Sequence, residues 1–296
     1  MKALLLKRYG KNEGIAFADI PRPVPKSNEL LVQVYAAGLN PIDNMIPKGM
    51  FKPILPYRLP ITLGSDLAGV VVEVGGGVTR FKRGDAVFAS TFDRGDGAFA
   101  EFTVVSESAA AFKPVNLSFV QAASVPMVGL TSWQALKLRA QLKPAQSVFI
   151  PAGAGGIGTF AIQLAKYLGA RVGTTTSASN FELVRGLGAD EVIDYKMQEF
   201  EQVLRGYDAV LCTLRGAEPE RALKIVKPGS KVVSLVGPPD AAFATARGMN
   251  AVMQFVFALL SRKIIGQAKK RGANYTFLFV HPDGSQLGEI GELLTA

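Results

Sequence analysis

The segment SVFIPAGAGGIG at 147–158 constrains this chain more than any other. An apolar strand runs directly into a glycine turn, and the turn opens an amphipathic helix. Gly153, Gly155 and Gly158 have the G-x-G-x-x-G spacing, in which the first glycine lets the chain turn, the second admits a pyrophosphate and the third packs helix on strand. Apolar residues follow at Ile157, Phe160, Ala161, Leu164, Ala165 and Leu168, the stripe of a helix lying on a sheet. The first amides of such a helix point at phosphate, so Gly153, Ala154, Gly155, Gly156 and Ile157 are the expected cofactor contacts. An ordinary tight turn explains glycines alone, but a second strand at 170–176 completes a dinucleotide-binding unit.

The end of that second strand selects the dinucleotide. An acidic side chain about 20 residues past the glycines would grip a ribose 2′-hydroxyl, and residues 171–181 read RVGTTTSASNF, without a carboxylate. Ser177, Ser179 and Asn180 can donate hydrogen bonds to a 2′-phosphate, with the Tyr195 hydroxyl and, farther off, Arg185 in support. NADPH is therefore expected rather than NADH.

The chain has 296 residues, 48% of them hydrophobic, which is enough for two domains. Lysine and arginine exceed aspartate and glutamate by 33 − 24 = 9, but the basic residues are scattered without an aromatic-basic stripe, so nucleic acid is not an expected partner. The balance suits an anionic cofactor. A single cysteine, Cys212, excludes an intramolecular disulfide and fits a reducing compartment. The N-terminus MKALLLKRYG lacks a cleavage-site pattern, so the cytoplasm is the expected location. The most apolar segment, 249–260, falls short of the roughly 20 residues needed to span a bilayer. It is followed by Arg262, Lys263, Lys269, Lys270 and Arg271. Burial at a subunit or domain contact is the expectation for it, with docking on a membrane surface as the alternative.

Two textures divide the chain. Short β-branched runs punctuated by glycine and proline fill its first part, at 2–7, 29–37, 69–74, 85–90 and 98–105. Beyond residue 118, helices alternate with strands at 147–152, 170–176, 208–213, 231–236 and 276–280. The expected fold is α/β, with a β-rich, barrel-like domain over 1–120, completed by 284–296, and a doubly wound parallel-sheet domain that binds NADP over 121–283. The boundary is expected near 116–122, with a helix over 129–142 crossing between the domains.

This order of parts resembles the medium-chain dehydrogenase/reductase superfamily over nearly the whole chain. The motifs that carry the resemblance are ITLGSDLAGVVVEVG (61–75), FKRGDAVF (81–88), GAFAEFTVV (97–105), GLTSWQAL (129–136), AGAGGIG, LGADEVIDY (187–195) and KPGSKVVSLVG (227–237). The resemblance implies a GroES-like first domain and a Rossmann second domain. Zinc members of the superfamily hold their metal with cysteine and histidine, and a catalytic site takes three protein ligands. This chain has one cysteine, Cys212, and one histidine, His281. It carries Asn40 where zinc members have a ligand cysteine, and Ser65-Asp66 where they have His-Glu. The resemblance is thus to the zinc-free quinone oxidoreductase branch, the ζ-crystallin-like reductases, which use NADPH on quinones or α,β-unsaturated carbonyls.

That branch implies roles for further residues. Asn40 and Thr131 are placed beside the nicotinamide as the catalytic pair, although Asn40-Pro41 is fully explained as an N-cap followed by proline at the first helical position, and Thr131 as a buried helix residue. Asp43 reads as structural. Thr213, Val236 and Gly237 end strands at the carboxyl edge where a cofactor crosses, and Phe279 precedes a loop that approaches the nicotinamide in relatives. Related reductases place tyrosines after the Asn40 helix, where this chain has Met45, Phe51 and then Tyr57, an apolar set suited to a flat quinone or alkenal or to simple loop packing. Without a metal or an evident general acid, hydride transfer would rely on proximity and hydrogen-bond polarisation, with water protonating the product oxygen. Relatives continue beyond the helical end at 291–296 with further strand, so these residues are either a piece of a longer protein or a naturally short chain whose β-rich domain is incomplete, in which cofactor binding could survive a loss of activity. A homodimer is expected through the edge strand at 276–280. The alternatives are a non-catalytic NADPH-binding protein that docks a partner or a membrane surface, and a reductase module of a fatty-acid or polyketide assembly line.

Overall fold

The computed structural model describes residues 1–10 and 14–296. The chain divides into two compact units, Met1–Leu130 with His281–Ala296, and Thr131–Val280. In the first unit β1 (Lys2–Leu6), β2 (Ile15–Asp19), β3 (Glu29–Gly38), β4 (Ile61–Thr62), β5 (Asp66–Val74), β6 (Ala86–Ser90), β7 (Phe102–Ser106) and β8 (Ala110–Phe112) form two antiparallel sheets, ordered β2-β1-β4 and β7-β3-β5-β6-β8. Leu30 and Val32 of β3, Leu67 and Val71 of β5, Val87 of β6 and Val105 of β7 meet Phe81 in one apolar core. This is a GroES-like arrangement. It also holds the short helices α1 (Pro41–Met45) and α2 (Phe119–Ala123). The Ser118 hydroxyl caps α2 by accepting from the Gln121 amide, the Ser-x-x-Gln capping box.

The next helix, α3 (Pro126–Trp133), continues as a π-helical stretch over Gln134–Arg139, and the division between the units falls inside it. It starts three residues before the expected helix at 129 and stops short of Leu142.

The second unit is a six-stranded parallel sheet of β9 (Ser147–Ile150), β10 (Arg171–Thr176), β11 (Glu191–Asp194), β12 (Tyr207–Cys212), β13 (Val226–Ser234) and β14 (Asn274–Phe277), in the order β11-β10-β9-β12-β13-β14. Counted within the unit this is 3-2-1-4-5-6, the Rossmann order, whose direction reverses between β9 and β12. Every residue of β9 is buried, as expected of a central strand covered on both faces. The connecting helices are α4 (Gly156–Tyr167), α5 (Phe181–Gly186), α6 (Phe200–Val203), α7 (Glu218–Ala222), α8 (Ala241–Ala246) and α9 (Ala251–Lys270). Phe149, Tyr207, Val210, Ile225, Val232, Ile264 and Phe277 share the core. The chain then returns to the first unit as α10 (Gly284–Thr295), which contacts β8.

Several elements depart from the sequence reading. The short strands β2, β4, β8 and β11 were not expected. β13 ends at Ser234 rather than 236, because the Ser234 hydroxyl takes the Val236 and Gly237 amides at 3.3 and 2.8 Å and so replaces a strand partner. β14 pairs Asn274–Phe277 with Lys231–Ser234, so it ends at 277 and not at 280. The apolar segment at 249–260 enters α9 at Ala251, and that helix buries only Phe257, Ser261, Ile264 and Ala268 within its unit.

Candidate active site

The glycine turn follows β9. Ala152, not Gly153, takes the left-handed conformation that reverses the chain, with φ of 53°. Gly153 is required for a different reason. A Cβ there would lie 2.2 Å from Thr174 Oγ1, a buried hydroxyl of β10 that donates to the Ile150 carbonyl. Gly158 has no room either, since its Cβ would stand 2.4 Å from the Ala152 oxygen and 2.7 Å from the Gly153 Cα. Gly155 is the N-cap of α4, and Gly155 and Gly156 are exposed at the start of that 12-residue helix. The Gly153 and Gly155 amides donate to the Thr175 and Ala152 carbonyls, each at 2.9 Å, and the exposed start of α4 beyond them is a helix N-terminus of the kind that binds a pyrophosphate. Ile157 lies in the first turn of α4.

Beside the turn, at the carboxyl ends of the strands where the sheet order reverses, lies a cavity of 530 Å³. Ala154, Gly155, Ser177, Asn180 and Tyr195 all line it. Ser177 and Ser179 share a hydroxyl-hydroxyl hydrogen bond of 3.0 Å, and Asn180 Nδ2 donates to Ser177 Oγ at 3.2 Å, so the end of β10 presents a cluster of donors without a carboxylate. Arg185 instead stands over the Phe181 ring. The structure brings two other guanidinium groups to the lining, Arg215 and Arg221, together with Glu199 and Glu218. Arg221 is clasped by Glu199 and by Glu201, the latter at 2.7 and 2.8 Å. These residues follow β11 and β12, and no glycine spacing signals them; the Glu-Pro pair that opens α7 is the one cue, since acidic residues and proline favour a helix start.

Glu218 is buried, and its Oε2 accepts from the Leu214 amide at 2.7 Å. Burial pushes its carboxyl up to about 7, against the lowering effect of the Leu214 and Thr213 amides. Its Oε1 has no hydrogen-bond partner.

The remaining expected contacts of this unit lie outside the lining of that cavity. Thr213 Oγ1 donates to the Pro151 carbonyl at 3.3 Å and ties β12 to the glycine turn. Val236 and Gly237 lie beyond the end of β13, and a Cβ on Gly237 would meet the Tyr275 hydroxyl at 2.2 Å. Phe279 packs on the core beside Phe243, under the Arg247 guanidinium. Thr131 is buried in α3.

In the first unit Asn40 is the N-cap of α1, with Pro41 as the first helical residue. Its backbone amide donates to Asp43 Oδ2 at 2.8 Å, while its side-chain Nδ2 donates to Asp66 Oδ2 at 2.9 Å. The same Asp66 oxygen accepts from the Met127 amide, and Ser65 Oγ donates to Asp43 Oδ1 at 2.7 Å. Two carboxyls thus flank Asn40. Asp66 is buried, and desolvation raises its carboxyl to about 7, with the nearby Asp43 charge adding to the rise and Asn40 and Met127 opposing it. Burial also raises Asp43, opposed by its bonds to Ser65 and Asn40. Of the expected substrate residues, Tyr57 joins Asp43 and Ser65 around a cavity of only 20 Å³, while Met45 and Phe51 do not line it. That space holds about one water.

Residues 26–115 match the alcohol dehydrogenase GroES-like domain, and residues 187–296 match the zinc-binding dehydrogenase family. The chain is 38% identical to a chloroplast envelope quinone oxidoreductase homolog of Arabidopsis thaliana, over 83% of this chain and 78% of that protein. It is 35% identical to the mitochondrial NAD(P)H oxidoreductase RTN4IP1 of Danio rerio, over 100% of this chain and 82% of that protein. Among solved structures, the quinone oxidoreductase of Coxiella burnetii superposes with a TM-score of 0.84 at 31% identity, covering 100% of this chain and 87% of that one. The Escherichia coli quinone oxidoreductase complexed with NADPH gives 0.80 at 25% identity, covering 100% and 87%. The organelles in the relatives' names lend no support to a cytoplasmic location.

Proposed function

Because this chain belongs to the medium-chain dehydrogenase/reductase superfamily, in its quinone oxidoreductase branch, it is an oxidoreductase, and we propose that it uses NADPH to reduce a quinone or an α,β-unsaturated carbonyl without zinc. The observation that carries the cofactor reading is the end of β10, where Ser177, Asn180 and Tyr195 line the cavity beside the glycine turn. The relatives' names supply the acceptor class.

The residues fit the dinucleotide. Gly153 and Gly158 let the turn pack tightly against β10 and the start of α4, where any Cβ would collide, the amides at the start of α4 would hold the pyrophosphate, and Ser177, Asn180 and Arg215 would hold the 2′-phosphate. When bound, the nicotinamide supplies a hydride. A catalytic zinc does not fit. Asn40, Ser65 and Asp66 are an amide, a hydroxyl and a carboxyl already bonded among themselves and to Asp43, and among the described residues no group of three histidine, cysteine or carboxylate ligands is placed to hold a metal.

Asn40 is the polar group proposed to orient the reacting centre, with Thr131. Because Asp66 Oδ2 accepts from Asn40 Nδ2, the orientation of the Asn40 amide is fixed and its Oδ1 is left as the acceptor. Met45, Phe51 and Tyr57 would contact a flat apolar acceptor. The reduced oxygen is then protonated from water.

The test is NADPH oxidation followed by absorbance with a small benzoquinone, a short enone, a simple ketone and no acceptor. Turnover with quinone or enone, little with the ketone, and no dependence on added zinc or chelator are expected. Efficient ketone reduction or alcohol oxidation, or stoichiometric zinc in the active protein, would overturn the reading.

A further inference from the structure

Helix α9 has two faces with different tasks. Phe257, Ser261, Ile264 and Ala268 turn inward, at the i, i+4, i+7, i+11 positions of one stripe. On the opposite side Val252, Phe255 and Leu259 succeed one another, 69, 70 and 59% exposed, flanked by Val256 and Leu260 at 38 and 56%. The following turns carry Arg262, Lys263, Lys269 and Lys270, and Arg271 is the C-cap. The helix contains no acidic residue. Lys263 lies 3.9 Å from Glu220. An exposed apolar strip that runs into a cationic end marks an interaction surface rather than scattered surface residues.

We propose that α9 docks on the surface of a bilayer that contains anionic lipid. Val252, Phe255 and Leu259 enter the boundary between headgroups and acyl chains, and the cationic turns meet the headgroup phosphates. Charge decides the occupant. A second copy of this face would oppose cations to a helix that offers no carboxylate, an arrangement that disfavours self-pairing. The chain's net charge of +9 favours approach to an anionic surface. Among the described residues no helix is long and apolar enough to cross a membrane. This inference is independent of which acceptor the enzyme reduces.

Cosedimentation of the full chain with vesicles tests it, using phosphatidylcholine alone or mixed with phosphatidylglycerol. Pelleting with the mixed vesicles, lost in high salt, is expected, with little pelleting on phosphatidylcholine. Phe255→Glu/Leu259→Glu and, separately, Arg262→Glu/Lys270→Glu should each weaken vesicle binding by more than about tenfold. The remote pair Lys82→Glu/Arg83→Glu should leave it unchanged, and unaltered NADPH binding in each variant shows that the nucleotide unit is folded. Absence of pelleting, equal pelleting on both vesicles, or equal loss from the remote pair would overturn the proposal. So would a dimer in solution that Phe255→Glu/Leu259→Glu converts to monomer, because the face would then join copies of the chain.

Discussion

Each unit buries one carboxyl that desolvation raises to about 7, and the two carboxyls sit in different company. Asp66 is wholly enclosed, shares its oxygen between a side-chain amide and a backbone amide, and has a second carboxyl, Asp43, as neighbour. Glu218 forms part of a cavity wall, accepts from backbone amides, and has the Arg221 guanidinium to offset its charge. The first carboxyl thus fixes a side chain that is a candidate for catalysis, and the second fixes the loop that follows β12. Similar titration arises from burial in both, while the partners decide what the proton controls.

The largest expected effect tests that comparison at Asp66. Its folded-state value lies above its ordinary 3.8, so its contribution to stability is full below about pH 4 and is lost as pH rises through about 7. At about 1.4 kcal/mol per tenfold, the loss is on the order of 4 kcal/mol. Asp66→Asn, which keeps an acceptor for Asn40 and Met127, removes that loss. Urea unfolding at pH 5 and pH 8 should show a much smaller decline in the variant than in the wild type, and the pH profile of kcat should flatten near 7. An unchanged decline would show that Asp66 ionises without cost, and its likeness to Glu218 would fail.

Glu218 should give the same sign with a smaller size. Its value rises from 4.5 to about 7, with the Arg221 charge already holding it down, so the wild type loses about 3 kcal/mol at most between those limits. The diagnostic is functional. Ionisation of Glu218 in the cavity wall opposes an anionic cofactor, so the Kd for NADPH should rise by a few-fold as pH passes 7 in the wild type and less in Glu218→Gln. The kcat profile should not move. If Glu218→Gln changes kcat and Asp66→Asn changes only Kd, the assigned roles are reversed.

The same contrast explains what could be read from the chain. The nucleotide turn is built from backbone, and its requirements sit within twelve consecutive residues, so 147–158 announced strand, turn and helix directly. Even there the reason for Gly153 was hidden, because Thr174, which excludes a Cβ, belongs to the next strand. The Asn40 cluster draws on residues 40, 43, 65, 66 and 127, and no periodicity connects them. Resemblance pointed to Asn40 and to Ser65-Asp66, but the capping signature of Asn40-Pro41 gave no sign that the side chain bonds Asp66 instead. Arg215, Arg221 and Glu218 carry no such signal, because they enter the cavity from the connection after β12, where ordinary helix-start chemistry conceals them. The edge strands β2, β4, β8 and β11 are two to five residues long, too short for alternation to register.

The smallest expected effect concerns cofactor choice. Ser177 Oγ accepts from Asn180 and bonds Ser179, so its hydroxyl organises the donors at the end of β10. Ser177→Ala removes one donor and leaves Asn180 without its acceptor, at a cost of about 1 kcal/mol for a hydrogen bond. Titration should show the NADPH Kd rising by roughly fivefold at that energy, with the NADH Kd nearly unchanged, since NADH has no 2′-phosphate to lose. Equal losses for both cofactors would mean that the Ser177 cluster shapes the cavity without reading the phosphate. The discrimination would then fall to Arg215, whose replacement by alanine would have to weaken NADPH alone.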